Sequence, residues 1–149
     1  MEVNSQFNMM KIKTKNYIKF WLPLFIWAIV IFSFSSYQTP TASEIRWQDF
    51  IVKKTFHLIE YAILTTLSYR ALKESGVDKK KAGIYSIIIT LLYGASDEFH
   101  QTFTIGRDGK VRDVIIDTAG ALLAIYGIWN LLPKAPKKLK SWAERLQII

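Results

Sequence analysis

The sequence predicts an all-α membrane bundle of four transmembrane helices, and three observations predict it. Half of the 149 residues are apolar, and they gather into long blocks instead of alternating. Each block has a helix-compatible length, and none shows the two-residue alternation of a barrel strand. Ionisable residues stand at the ends of these blocks. Threading the blocks antiparallel through a bilayer brings the start of the second, the end of the third and the start of the fourth to one side.

The first segment runs from about Tyr17 to Phe34, close to the ~20 residues that cross a ~30 Å hydrocarbon core. Pro23 lies near its start, where a missing backbone donor is tolerated. Basic residues upstream raise a cleaved signal peptide as a competitor. The apolar run exceeds a usual h-region and no small-x-small site follows, so a retained span is expected. The second segment, about Thr55 to Leu72, contains His57, Glu60 and Arg70; Arg70 can extend its head to the interface while its stem stays in lipid. The third begins near Ala82 and ends in Asp97, Glu98 and His100, before Phe103. The fourth runs from about Val114 to Leu132, with Asp117 near its start. From Lys137 onward, Leu139, Trp142, Ala143, Leu146 and Ile149 repeat at three and four residues with Lys138, Lys140 and Arg145 on other faces. That pattern predicts an interfacial amphipathic helix, with a solvated basic tail as the alternative. The domains are then an N-terminal tail over 1–16, the membrane domain over 17–132 and a basic tail over 133–149.

Loop charge sets the orientation. The N-terminal tail (Lys11, Lys13, Lys15, Lys19), the second connection (Arg70, Lys73, Lys79, Lys80, Lys81) and the C-terminal tail (Lys134, Lys137, Lys138, Lys140, Arg145) place 14 basic residues on one side. The other side has six: Arg46, Lys53, Lys54, Arg107, Lys110 and Arg112. The positive-inside rule puts both termini in the cytoplasm and the charged ends outside. The net charge of +8 alternates with apolar blocks instead of forming a continuous basic footprint, which argues against a nucleic-acid partner. The absence of cysteine excludes disulfides, thiolate catalysis and thiolate metal sites.

Ionisable groups at membrane depth are costly, so each is a functional-site candidate. Lys53, His57 and Glu60 share one helix face at i, i+4 and i+7. Asp97 and His100 share another, with Gln101 beside them, while Glu98 points about 100° from Asp97, so the two need not enter one site. Asp113 and Asp117 are four apart, on a stripe continuing through Gly120, Ala124 and Gly127, whose small residues allow close helix approach. Gly106 and the Asp108-Gly109 pair form a turn signal that could fold Arg107 over the acids, though a solvated loop arginine is the plainer expectation. Two histidines among carboxylates suit a divalent metal held by His57, Glu60, Asp97 and His100, acid–base work, ion or proton passage, or a polar network locking the helices. Spacing alone leaves these open.

Taken together, Ser35-Ser36-Tyr37-Gln38, Lys54-Thr55-Phe56-His57-Leu58-Ile59-Glu60-Tyr61, Tyr93-Gly94, Asp97-Glu98-Phe99-His100-Gln101, Gly106-Arg107 and Asp113-Val114-Ile115-Ile116-Asp117-Thr118-Ala119-Gly120 resemble the VanZ-like family of small bacterial membrane proteins. The resemblance covers about residues 20 to 130. Two positions depart from it: Asp117, where Asn is frequent, and Ala124, where a second glycine is common. It implies a polytopic protein of the bacterial cytoplasmic membrane, linked in some members to tolerance of glycopeptide antibiotics, chiefly teicoplanin.

The expected function is binding of an anionic or lipid-linked ligand, such as a lipid-linked cell-wall precursor, in a polar pocket at the outer leaflet. Lys54, Gln101, Arg107 and Arg112 would hold it. His57, Glu60, Asp97, His100, Asp113 and Asp117 would set protonation, carry any catalysis or bind a metal. Two rivals stand beside it: a metal- or acid–base-dependent hydrolase of lipid phosphates, and a proton-coupled carrier.

Overall fold

The computed structural model describes residues 17–37, 44–105, 107 and 109–149 in full, and residues 2–16 as helical backbone alone. Gln38, Gly106, Asp108 and the side chains of Lys11, Lys13 and Lys15 lie outside the described residues. Five helices follow one another: α1 (Glu2–Ser35), α2 (Arg46–Glu74), α3 (Lys79–Gln101), α4 (Val111–Tyr126) and α5 (Lys137–Arg145). One π-helical turn, Gly127–Leu131, and a 3-10 turn, Leu132–Lys134, prolong α4. No strand occurs among the described residues.

The ends of these helices have local causes. Gly76, at φ 91°, takes the left-handed turn that closes α2, and the Val77 amide reaches back to the Leu72 carbonyl. Asp78 then caps α3, its carboxylate accepting from the amides of Lys80 and Lys81 at 3.0 and 3.3 Å. Gln147, at φ 59°, ends the C-terminal helix in the same left-handed way.

Tyr17–Ser35 and Val111–Lys134 are long and apolar enough to cross a membrane. At ~1.5 Å per residue, α2 and α3 are about 43 and 35 Å long, so length does not set them apart. Their charges do: Lys53, Lys54, His57, Glu60 and Arg70 on α2, and Lys79 to Lys81, Asp97 and Glu98 on α3, lower their apolarity.

α2 is central, packing against α1, α3 and α4, while α1 and α4 share no close backbone contact among the described residues. One core (Phe20, Leu24, Ile31, Tyr61, Leu64, Ala71) joins α1 to α2. A second, nearer the C-terminus, joins Tyr69, Ala82, Ile125 and Ile128 to Ile148. The segment after Pro136 therefore docks on the bundle: Ala143 and Ile148 are buried, while Leu139 and Trp142 stay exposed. Gly120 permits the closest α2–α4 approach, since a Cβ there would strike the Leu58 carbonyl. Gly127, further along the same stripe, faces open space.

Polarity runs opposite to that of a soluble domain. Ile18, Leu22, Phe25 and Ile29 on α1, Ile84, Ile88 and Leu92 on α3, and Ile115, Leu122 and Leu123 on α4 point outward. Inside lie Thr65, Ser68, Ser86, Thr90, Asp97, Glu98, Gln101, Asp113 and Asp117.

Candidate functional site

The end of α1, the beginning of α2, the end of α3 and the beginning of α4 meet at one end of the bundle, and the ionisable residues meet with them. Lys54 on α2 pairs with Asp113 on α4 at 2.5 Å. One turn further in, His57 Nδ1 faces Asp117 Oδ1 at 3.3 Å. The two acids of α4, four residues apart, thus face two α2 residues three apart, as one face of each helix requires. His57 also lies parallel to the Tyr61 ring, with centroids 6.3 Å apart. Glu60 is half-buried, within electrostatic reach of His57, Asp117, Asp97 and Arg107.

On α3, Gln101 Nε2 donates to Asp97 Oδ2 at 2.9 Å, a bond within one helical turn. The Tyr61 hydroxyl lies near Asp97 without a hydrogen bond of acceptable geometry, and Asp97 Oδ1 is unpartnered as well. Glu98 is as buried as Asp97, although helical geometry sets them about 100° apart. Because α3 packs against both α2 and α4, a wide sector of its surface is interior. Glu98 Oε2 accepts the Lys110 amide at 2.8 Å, and Gly109 makes this approach feasible because a Cβ there would strike the Glu98 carbonyl.

Two histidines were expected in one chamber, and they diverge. His100 turns toward α1: its Nε2 meets Ser36 Oγ at 3.1 Å and its ring packs on Phe32 with centroids 4.5 Å apart. The expected metal ligands His57, Glu60, Asp97 and His100 are accordingly not the residues whose ligand atoms converge. Those are His57, Glu98 and Asp117, all within 4.8 Å of one another. Glu98 is absent from the expected ligand set. Tyr61, directly after Glu60 in sequence, and Ser36, at the end of α1, are further polar groups at this end outside the expected set.

The residues expected to hold an anion divide similarly. Lys54 is engaged by Asp113 and Gln101 by Asp97. Arg112 lies over the Phe50 ring, its Nε 3.6 Å from Asp113 Oδ1, and remains more than half exposed. Arg107 folds inward: it is partly buried, its Nε donor has no partner, and Glu60 feels its charge. The loop therefore returns its arginine to the acids.

A family model described as VanZ/LLP1 matches residues 20–132, the stretch holding every residue of this site. The chain belongs to the VanZ/LLP1 family. No curated protein and no solved structure matches it. VanZ/LLP1 membership and the two apolar helices mark the chain as a membrane protein.

Proposed function

We propose that this VanZ/LLP1 protein spans the bacterial cytoplasmic membrane four times, with both termini inside. In this reading it belongs to the cell envelope and binds an anionic or lipid-linked ligand in a polar pocket at the outer leaflet. Outward-facing apolar residues on α1, α3 and α4 and an interior of acids and hydroxyls support four spans. The basic-residue imbalance of 14 against six supports the orientation.

Arg107 carries the ligand assignment. A guanidinium whose Nε is buried without a hydrogen-bond partner, within electrostatic reach of Glu60, supports an anionic ligand, because such a donor suits an oxyanion. Arg112, exposed beside it in sequence order across the loop and anchored on Phe50, supplies a second donor at the rim. A ligand with a phosphate or carboxylate head and an apolar tail fits both donors and the lipid-facing surface. A lipid-linked cell-wall precursor has that chemistry, and its capture is the route by which the protein would contribute to teicoplanin tolerance.

The test is binding in lipid nanodiscs by the full chain, with a polyprenyl phosphate as probe and phosphatidylcholine as control. Preference for the phosphate, weakened tenfold or more by Arg107→Ala, is expected, since a charge-assisted hydrogen bond contributes about 1.5–3 kcal/mol. Equal retention of both lipids, or an Arg107→Ala variant binding like the parent, would refute it.

A further inference from the structure

We infer that His57, Glu98 and Asp117 form a binding site for one divalent transition cation, of the zinc or manganese kind. The three come from α2, α3 and α4, and one ligand atom from each lies within 4.8 Å of the others. Imidazole with carboxylates is a donor set for such cations, whereas a calcium or magnesium site is built from oxygen alone.

Convergence of charge is a weak argument by itself, and the unpaired atoms strengthen it. Asp117 is fully buried and its Oδ2 has no hydrogen-bond partner. Glu98 is 5% exposed and its Oε1 has none either. Buried carboxylate oxygens are ordinarily satisfied, and two orphans in one cluster indicate a missing electrophile.

The His57–Asp117 distance points the same way. At 3.3 Å it exceeds the ~2.7–2.9 Å of a charge-assisted hydrogen bond. Glu98 is also held by its second oxygen, which accepts the Lys110 amide, as the outer partner of a metal ligand commonly does.

Three protein ligands leave a coordination position open. The cation site does not depend on the anion-binding reading, because none of its ligands is Arg107 or Arg112.

The experiment uses the full chain in detergent, stripped with a chelator and titrated with Zn²⁺ or Mn²⁺ alone. Calorimetry and elemental analysis should give one equivalent per chain. Glu98→Gln and His57→Gln should each weaken binding tenfold or more, while His100→Gln, whose ring turns to α1, stays within about twofold. X-ray absorption of the zinc-loaded parent needs no variant and should show one imidazole among oxygen ligands. Absence of stoichiometric metal, two imidazoles on the ion, or full affinity in Glu98→Gln would each overturn the assignment. In those cases, charge compensation by protons takes its place.

Discussion

Replacing Lys54 by methionine isolates what holds the start of α2 to the start of α4. The Lys54 and Asp113 side chains are 17% and 8% exposed, and their atoms meet at 2.5 Å. Methionine preserves the length of the stem and deletes the charge, leaving Asp113 buried with only Arg112 at 3.6 Å on its other oxygen. Breaking a buried pair on one side costs roughly 3–5 kcal/mol, mostly from the abandoned charge. The Arg112 contact persists but is largely solvent-exposed, so the lower end of the range, about 3 kcal/mol, is expected. For a chain of this size that is a fall in Tm of roughly 6–12 °C. The companion variant Lys54→Met/Asp113→Asn removes the stranded charge and should recover at least half of the loss. Thermal unfolding of both variants and of Asp113→Asn in one detergent gives the full cycle. A Lys54→Met shift below about 2 °C, or a double variant less stable than either single one, would refute the reasoning.

Other expectations are simpler to read. Gly120→Val should lower Tm well beyond Gly127→Ala, because a Cβ at the first position strikes the Leu58 carbonyl and at the second meets nothing within 4 Å; equal melting would contradict the α2–α4 packing. Trp27→Phe keeps the ring but loses the bond from Nε1 to the Glu60 carbonyl at 2.9 Å, a cost of about 1 kcal/mol by denaturant titration. With no native cysteine, single-cysteine labelling reads topology directly. In intact cells an impermeant maleimide should label Ile105→Cys and spare Lys137→Cys; the reverse pattern would invert the proposed orientation. His100→Gln should disturb the α1–α3 contact through Ser36 and Phe32, seen as a modest Tm loss, and a large loss would mean that His100 does more than join two helices.

The convergence of charges at one end was legible because charge at the boundary of an apolar block is visible without knowing any contact. Pairings were not. Lys54 and Asp113 are 59 residues apart, and nothing in either local pattern singles out the other. The sorting of Asp97 and Glu98 failed for a definite reason: helical angle predicts which residues share a face, while the width of the buried face depends on how many neighbours the helix has. α3 lies against α2 and α4 together, so residues 100° apart are both interior. His100 followed a third neighbour, since Phe32 and Ser36 bring α1 to that side. The amphipathic tail was recognisable as a helix, but its docking was not, because the surface receiving Ile148 is built from Tyr69, Ala82, Ile125 and Ile128, all distant in sequence from it.

Middle and end of the bundle carry different kinds of polarity, and the difference bears on mechanism. The Thr65 hydroxyl lies 2.7 Å from the Tyr61 carbonyl, to which it can donate, and 2.8 Å from the Thr90 hydroxyl, in a contact where either oxygen can be the donor. Ser86 likewise bonds within its own helix, to the Gly83 carbonyl. Hydroxyls that bond their own backbone satisfy themselves in an apolar surrounding and leave little for relay between helices. The ionisable groups leave oxygens of Asp97, Glu98, Asp113 and Asp117 and the Arg107 Nε without hydrogen-bond partners at this end, against the Arg70 Nε and the Ser68 hydroxyl elsewhere along α2. Unmet hydrogen-bonding capacity in charged residues is thus concentrated at the end where the α1, α3 and loop residues Ser36, His100 and Arg107 gather. Any ion or headgroup that this protein recognises has its strongest reason to approach from there.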